Sequence, residues 1–486
     1  MTWRTPLMEE GSSSQTSKQK LSIWIRMAVI VLLVATAICF GLVLAAALEG
    51  PKEKIPSGKT GVDSVAFYTD IKDRCDNDFD SECQLEIVES IPIGLVFPPN
   101  SPKTRSTFEA WKELLAVSQE SIDIGSFYWT LRGSDIGIDD PSQDEGVEIL
   151  EELKKKGNIL RVVWSTPDSV ESGGDIQQLI DAGAQIRDLN MTKFLGAGVL
   201  HTKVWLVDGL HGYVGSANMD FRSLTQVKEL GIVMKNCSCL VQDLAKIFEV
   251  YWLMANASEI PEKWPESLST SWNSSRPLQT ADFKVFASSA PPAFNPEGRT
   301  NDVDAIVKAI DEAEEFVYVA VMDYFPQALY RGGRNNTFWP VIDDALKRAA
   351  VDRGVDVRLM ASKWNHTRTA LTGYLCSLNS IGSHVSYASI ETRFFQVPFT
   401  DPGQHQIPFS RVNHNKYMVT DRLAYVGTSN WSQDYFTDTC GIGLNVKQLS
   451  EGNSTKQDQL FQERLKQIFL RDWNSEYTHE VECCVT

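Results

Sequence analysis

Two stretches of this chain carry the same polar residues at the same spacing. One reads HTKVWLVDGLHGYVGSAN and the other reads HNKYMVTDRLAYVGTSN. In each stretch a lysine lies two residues after the histidine, an aspartate lies five residues after the lysine, and an asparagine closes a Gly-(Ser/Thr)-x-Asn run. A doubled set of this kind predicts one site for phosphodiester chemistry, assembled from two related segments. Its members are His201, Lys203, Asp208 and Asn218, and His414, Lys416, Asp421 and Asn430.

These residue types suit the cleavage of a phosphodiester. The substrate is anionic and repels nucleophiles, and lysine and asparagine side chains can stabilise its oxygens as charge shifts in the transition state. One histidine can attack phosphorus and form a phosphohistidine. The other can protonate the leaving oxygen and then activate water or an alcohol. The two imidazoles therefore need different environments. Because the lysines carry the positive charge, we expect that no metal or other cofactor is required.

The segments around the two motifs also repeat. Each motif follows a helix, a strand, a second helix and a second strand by pattern, and a strand pair surrounds each histidine motif. This order predicts an α/β fold of two halves, each a mostly parallel mixed sheet flanked by helices, with the active site at their interface. We expect halves at 85–258 and 293–486, joined by a Trp/Pro/Ser-rich connection at 259–292. The paired segments are 106–118 and 303–313, 121–128 and 316–324, 146–156 and 340–353, and 157–165 and 354–362.

The N-terminal region predicts a membrane anchor. Residues 27–48 form an uncharged apolar run that is long enough, as a helix, to span about 30 Å of hydrocarbon. A buried core helix would have a polar face, and a signal peptide would begin earlier and be shorter. We therefore expect a cytoplasmic tail at 1–22, a single transmembrane helix at 23–48 and a stalk at 49–84. Basic residues flank both sides, so they do not set the orientation.

Glycosylation sequons and net charge place the larger part of the chain. All the N-x-S/T sequons follow the apolar run, which predicts a lumenal C-terminal part and a type II orientation. The net charge of −17 argues against a protein that simply coats nucleic acid. Asn430 is interpreted as a site residue although it begins a sequon. The glycosylation candidates are Asn190, Asn236, Asn256, Asn273, Asn335, Asn365 and Asn453.

An oxidising lumen would allow disulfides. Cys75 and Cys83 flank a short acidic stretch, and they are expected to close a small loop. Zinc is the competing interpretation for Cys237-x-Cys239 and the Cys483-Cys484 pair, but no histidine cluster lies at ligand spacing. The disulfide candidates are Cys75, Cys83, Cys237, Cys239, Cys376 and Cys440.

The doubled motif resembles the signature of the phospholipase D superfamily. Longer stretches, including VESIPIGLVFP, GSANMDFRSLTQVKELG and RVNHNKYMVT, are similar to its endolysosomal 5′-exonuclease branch, which contains the phospholipases D three and four. The resemblance covers about Leu85 to Tyr477. It implies that His201 is the nucleophile and His414 the general acid and base, although the sequence alone does not choose between them. It also implies that Glu229 orients the histidine of the opposing half. Because Thr439 stands near the equivalent position, only one histidine would gain a carboxylate partner.

Two further groups of residues have alternative interpretations. In the family, the positions of Asp208 and Asp421 lie at strand ends, where they orient the fold or a loop or take part in catalysis. Aromatic residues near the repeated strand ends could stack on bases of a single strand or could simply belong to the core. The stacking candidates are Tyr128, Tyr324 and Phe338.

The resemblance implies an acid 5′-to-3′ exonuclease for single-stranded DNA and RNA with a free 5′ end, which limits nucleic-acid sensing by innate immune receptors. The alternative is a phosphatidyl transferase that makes bis(monoacylglycero)phosphate from phosphatidylglycerol or lysophosphatidylglycerol with the same two histidines. A non-catalytic lumenal protein is the third hypothesis, which the intact motifs disfavour. The family further implies a homodimer, passage through the endoplasmic reticulum and Golgi to endosomes and lysosomes, and release of a soluble form by proteolysis.

Overall fold

The computed structural model describes residues 79–166, 174–330, 337–449 and 460–483. The predicted tail, the membrane span and most of the stalk lie outside these residues, as do Cys75, Asn335 and Asn453. A search of the described ranges finds no helix with the length and apolar character needed to cross a membrane.

The smaller of two large sheets contains the first histidine motif. Three neighbouring strands at one end of this sheet run parallel, and two of them are almost fully buried. The remaining neighbours are antiparallel, except for the parallel pair at the opposite end of the sheet. In spatial order the strands are β3 (Arg105–Ser106), β2 (Gln84–Ser90), β11 (Glu229–Lys235), β9 (His211–Gly215), β8 (Val204–Val207), β4 (Ile122–Ser126), β6 (Leu160–Ser165) and β7 (Gln185–Leu189). A separate parallel pair joins β5 (Trp129–Thr130) to β10 (Met219–Asp220).

The larger sheet contains the second motif. Along its main path the strands are β1 (Phe79–Asp80), β12 (Leu278–Thr280), β13 (Phe283–Ala290), β20 (Gly441–Gln448), β19 (Ala424–Gly427), β18 (Lys416–Thr420), β15 (Phe316–Val321), β16 (Asp356–Ser362), β17 (Ser389–Phe395) and β21 (Thr478–Glu480). A further strand, β14 (Thr300–Asn301), pairs with β13.

The two sheets share one strand order. The series β3-β2-β11-β9-β8-β4-β6-β7 corresponds, strand for strand and with the same parallel or antiparallel sense, to β14-β13-β20-β19-β18-β15-β16-β17. The connection expected at 259–292 differs from the structure, because it contains β12 and β13 of the larger sheet. The segment expected to be a stalk likewise contains β1 and the first residue of β2. Strands β1 and β12 are only two and three residues long, so they carry no apolar run by which the sequence could predict them.

Helices pack against the faces of both sheets. The first begins with a capping box in which Ser106 and Glu109 satisfy each other's backbone N–H groups. The helices are α1 (Thr107–Val117), α2 (Asp144–Lys155), α3 (Gly174–Asp181), α4 (Met191–Leu195), α5 (Phe221–Thr225), α6 (Ser238–Met254), α7 (Asp302–Asp311), α8 (Val341–Arg353), α9 (Thr369–His384), α10 (Gln433–Thr437) and α11 (Phe461–Trp473).

One apolar core joins the sheets. Buried residues of β8, β9 and β11 belong to the same cluster as buried residues of β18, β19 and β20, together with parts of α6 and α11. Burial of these apolar surfaces is the main force that can hold the two sheets together. Because each histidine motif begins at one of these central strands, packing the sheets brings the motifs close together.

The disulfides correct part of the prediction. Cys83 is bonded to Cys237, so the expected Cys75–Cys83 loop is wrong. The reason is the β2–β11 register, which pairs Gln84 with Lys235 and brings the two flanking cysteines together. Cys376 is bonded to Cys483, and Cys239 is disulfide-bonded as well. Cys440 was expected to form a disulfide, but it is a buried free thiol.

Candidate active site

The two histidines are held by equivalent backbone contacts between the sheets. The N–H of His201 donates to the carbonyl of Cys440 at 3.0 Å, just before β20. The N–H of His414 donates to the carbonyl of Lys228 at 2.8 Å, just before β11. Each motif is therefore fixed to the strand that follows the asparagine of the other motif. This exchange places both rings at the junction of the two sheets.

The two imidazole rings have different partners. Nδ1 of His201 lies 2.9 Å from the carbonyl oxygen of Thr428, a neutral acceptor. Nδ1 of His414 lies 3.0 and 2.9 Å from the two carboxylate oxygens of Glu229, which is fully buried. Within the described ranges no hydrogen bond is made to Nε2 of either ring. Each histidine thus keeps Nε2 for the substrate.

These partners separate the protonation behaviour of the rings. Burial and the nearby Lys203 and Lys416 hold the pKa of His201 well below its usual value. Burial also lowers the pKa of His414, but the charge of Glu229 acts in the opposite direction. Burial alone would raise the pKa of Glu229, yet His414 and Lys416 bring it below its usual value. A neutral His201 and a more easily protonated His414 suit a nucleophile and a general acid respectively.

The two lysines provide positive charge beside the rings. Lys203 Nζ donates to the carbonyl of His201 at 2.7 Å, and Lys416 Nζ donates to that of His414 at 2.6 Å. Burial and the charge of Lys416 hold the pKa of Lys203 well below its usual value, and burial lowers the pKa of Lys416 to about 7 against the opposing charges of Glu229 and Asp323. An anionic phosphodiester would favour their charged forms. Two buried lysines with few counter-charges indicate a site for an anion.

The asparagines have matching tyrosine partners. Asn218 Nδ2 donates to the Tyr128 hydroxyl at 3.4 Å, and Asn430 Nδ2 donates to the Tyr435 hydroxyl at 3.1 Å. The Oδ1 atom of each asparagine is buried and has no partner among the described residues. Buried amides with unused polar atoms beside two lysines are arranged to contact a bound polar group.

A buried polar chain connects Asn218 to Glu229. The backbone N–H of Asn218 donates to Ser223 Oγ at 3.1 Å, and that hydroxyl donates to Glu229 at 2.8 Å. The Tyr128 hydroxyl donates to Asp220 at 2.8 Å, and Asp220 forms an ion pair with Arg222. The short helix α5 therefore supports both the asparagine of the first motif and the carboxylate that holds His414.

Both rings line one cavity of about 460 Å³. This volume is in the range of small-molecule sites. Most of its walls are apolar or aromatic, and the polar groups converge on the histidines. The residues lining it include His201, Asn218, Glu229, His414 and Asn430, together with Phe127, Tyr128, Asp220, Arg222, Met322, Asp323, Tyr330, Trp364, Phe409 and Tyr435. No group of three or more His, Cys, Asp or Glu side chains in the described parts of the chain is arranged to hold a metal ion.

The two motif aspartates hold strand ends. Asp208 accepts three backbone hydrogen bonds of 2.8–2.9 Å from residues 119–121, immediately before β4. Asp421 accepts equivalent bonds of 3.0–3.4 Å from residues 314–316 at the start of β15. Neither lines the cavity. The structural interpretation therefore accounts for their spacing, and a direct catalytic role for either aspartate stays a prediction.

The stacking candidates separate in the same way. Tyr128 lies in the cavity wall. Tyr324 is a buried core residue that donates to Asp343 at 2.6 Å. Phe338 is exposed but lines a different depression, beside α9. Both residues were expected to contact substrate because they lie near the end of the strand predicted at 316–324, but neither lines the cavity, although Asp323 and Tyr330 of the same stretch do.

Several cavity residues were not predicted. Tyr435 lies in α10 with its ring 5.0 Å from that of His201, and Asp323 follows β15 near Lys416. Trp364 and Phe409 lie on irregular segments after β16 and before β18. Asp323, Trp364 and Phe409 lie outside the repeated motifs. Only the stretch after Asn430, which contains Tyr435, carried a signal in the sequence.

Comparison with known families shows which family the chain belongs to. Residues 99–400 match the family described as "PLD3/4, PLD-like domain". The chain belongs to the PLD3/4 branch of the phospholipase D family. The structure brings the histidine and the asparagine of both motifs to the wall of one cavity.

Curated PLD3/4 relatives cover most of this chain. The human protein named 5′-3′ exonuclease PLD3 is 46% identical over 408 residues, which make up 82% of this chain and 81% of the human protein. The mouse protein named 5′-3′ exonuclease PLD4 is 43% identical over 415 residues, which make up 83% of this chain and 80% of the mouse protein. Among solved structures, phosphatidylserine synthase from Haemophilus influenzae superposes with a TM-score of 0.53 at 12% identity, covering 85% of this chain and 92% of that one. At that identity, the match supports the fold alone.

Proposed function

We propose that this protein is a 5′-to-3′ exonuclease that cleaves single-stranded DNA and RNA through a covalent phosphohistidine. The observation that carries the proposal is the pair of buried histidines that face one cavity with electrostatically different Nδ1 partners. The curated relatives named as 5′-3′ exonucleases support the reaction and its direction.

The chemistry follows from the positions of the groups. Nε2 of His201 attacks phosphorus, and Nε2–H of His414 gives its proton to the departing oxygen of the remaining strand. Lys203, Lys416 and the asparagine amides stabilise the charge that develops on the non-bridging oxygens. His414 then removes a proton from water, which attacks phosphorus and returns His201 to its free form. Glu229 stabilises the imidazolium form of His414, which is present before the first step and is restored when water loses its proton in the second.

The site is best explained as a product of two repeated halves. Two observations support this proposal: the shared strand order of the sheets and the matched contacts of the two motifs. In such an arrangement each half supplies one histidine, one lysine and one asparagine. The carboxylate at Glu229 is supplied by the first half alone, which gives the histidines their separate roles.

A lipid-directed transferase is the second candidate function. The apolar cavity wall, which includes Ile136, Met322 and Val412, favours it because such a wall could accept part of an acyl chain. A phosphohistidine can be resolved by a glycerol hydroxyl as well as by water. Phosphatidylglycerol or lysophosphatidylglycerol would then be the substrates, and bis(monoacylglycero)phosphate the product.

The proposed location is the lumen of endosomes and lysosomes, reached through the endoplasmic reticulum and Golgi by a type II membrane protein. Disulfides such as Cys83–Cys237 support an oxidising compartment. The sequon asparagines at 190, 236, 256 and 365 are exposed, and Asn273 is partly buried, whereas Asn430 is buried in the site. In that compartment the enzyme would limit the nucleic acid that reaches innate immune sensors. We further propose a homodimer and proteolytic release from the anchor.

The full-length protein tests these alternatives directly. At pH ~5 it should release mononucleotides from the 5′ end of a single-stranded oligonucleotide labelled at its 3′ end. Blocking the 5′ end should stop the release of mononucleotides. His201→Ala should abolish it. A parallel incubation with phosphatidylglycerol and lysophosphatidylglycerol tests the transferase. Lipid turnover without any nucleotide release would replace the first candidate with the second.

A further inference from the structure

We propose that Phe409, supported by His366 and Trp364, forms a stacking platform for an unpaired nucleobase at the mouth of the catalytic cavity. The inference rests on the proposed exonuclease function and names a contact that the two motifs do not provide. Its basis is an exposed aromatic ring that the surrounding backbone holds in a fixed position.

The three rings form one continuous cluster. The Phe409 ring stacks on that of His366 with centroids 4.8 Å apart and planes inclined by 20°. Trp364 meets the His366 ring edge-on at 4.7 Å. Phe409 is nevertheless 59% exposed, so its ring is not explained by core packing. A flat aromatic face open to solvent can stack with any base, because every base has a π-face.

The backbone around Phe409 is unusual. Its φ is +56°, a left-handed conformation that is rare for a bulky residue, and φ of Arg411 is +58°. Such conformations persist where surrounding contacts enforce them, and they concentrate at functional sites. Here the strained segment presents a phenylalanine to solvent where glycine would relieve the backbone.

Buried arginines supply the enforcing contacts. Arg411 donates to the carbonyl of Pro398 at 2.9 Å and to that of Ile93 at 3.0 Å, and its own N–H donates to the carbonyl of Gln226. From the opposite side, Arg222 Nη1 donates to the carbonyl of Pro408 at 2.7 Å. The ring is therefore held in place before a ligand binds, which reduces the conformational entropy lost on binding.

The platform is continuous with the catalytic groups. Phe409 and Trp364 line the cavity that contains His201 and His414. Arg222, which holds the Phe409 segment, also pairs with Asp220, and Asp220 accepts the hydroxyl of Tyr128 beside Asn218. A base on Phe409 and a phosphodiester at the histidines could therefore belong to one strand. A single strand is the occupant that supplies both groups.

The test combines Phe409→Ala with abasic substrates. We compare kcat/KM for a normal oligonucleotide with that for oligonucleotides made abasic at the first, second or third nucleotide. Stacking predicts that Phe409→Ala lowers kcat/KM on the normal strand by about fivefold or more. One abasic position should cause a similar loss in the wild-type protein and make the variant and the wild type nearly equal. Phe409→Trp should retain activity, and Tyr387→Ala, which removes an aromatic ring that is 69% exposed elsewhere, should change nothing.

The outcomes separate this inference from the proposed function. If wild-type protein releases no nucleotides, the exonuclease proposal fails, and the platform fails with it. If wild-type protein is active but Phe409→Ala loses the same factor on normal and on all abasic strands, only the platform is refuted. If Phe409→Ala does not fold, Phe409→Trp and the abasic series on wild-type protein still decide: equal rates on all strands overturn the inference.

Discussion

Replacing Glu229 by glutamine should change the pH dependence of catalysis more than the fold. The carboxylate lies 2.9 Å from Nδ1 of His414 and is fully buried, so its charge acts on the ring without screening by solvent. Hydrogen bonds to charged groups contribute about 1.5–3 kcal/mol, and one pKa unit corresponds to about 1.4 kcal/mol. Glu229→Gln should therefore lower the pKa of His414 further, because the protonated ring loses its charged partner.

The sign of the kinetic effect follows from the role of His414. It must be protonated to assist departure of the leaving oxygen, so activity falls as pH rises through its pKa. In Glu229→Gln this alkaline limb of the kcat/KM profile should move to lower pH, with a loss of about 10- to 100-fold above it. The assay is nucleotide release from a single-stranded oligonucleotide between pH 4 and 8.

A matched control distinguishes this effect from general damage. Glu391→Gln removes a carboxylate that pairs with Arg393 on the outer part of the larger sheet, and its profile should match that of the wild type. Thermal unfolding of both variants checks the fold. An unchanged alkaline limb in folded Glu229→Gln would refute the view that this carboxylate separates the roles of the histidines.

Other variants test the remaining parts of the site. Asp208→Asn should lower the free energy of unfolding by about 1–3 kcal/mol, because a charged acceptor of three backbone N–H groups is lost. At a temperature where the variant is folded, its kcat should stay within about threefold of the wild type. A loss of kcat without a loss of stability would show that Asp208 takes part in catalysis. Asn218→Ala should reduce kcat by about 10²-fold or more with little change in melting temperature, and a near-normal kcat would exclude a contact with the transition state. Burial raises the pKa of Asp302 to about 6, so the native state binds this proton more tightly than the unfolded state does. The wild type should therefore lose up to about 3 kcal/mol of stability as pH rises from 4 to 7. Denaturant unfolding of Asp302→Asn should show a smaller loss over that interval, and an identical pH dependence in the two proteins would contradict a raised pKa for Asp302.

The sequence predicted those features that depend on local pattern. The strands predicted at 121–128 and 316–324 contain the observed strands Ile122–Ser126 and Phe316–Val321, because each run is rich in apolar and β-branched residues. The doubled spacing also identified the histidines, lysines and asparagines that line or flank the cavity. These features were accessible because strand alternation and motif spacing are local properties of the chain.

Features that depend on distant register were not accessible. The Cys83–Cys237 bond follows from the pairing of β2 with β11, which no local pattern indicates. The aspartates share the motif spacing with catalytic residues, but only the path of the chain shows that Asp208 points to the start of β4. Phe409 and Tyr435 reach the cavity from separate elements of the second sequence half, so their proximity to His201 required the packed sheets.

The most direct test of the central claim is to trap the phosphohistidine. His414→Ala should react with a nucleotide p-nitrophenyl ester, whose leaving group needs no proton, and should then hydrolyse the adduct slowly. Mass spectrometry of the digested protein should place the phosphoryl-nucleotide on His201 in this variant and find none in His201→Ala. An adduct on His414 in the His201→Ala variant, or an adduct on neither histidine, would contradict the assignment of His201 as nucleophile and His414 as acid and base.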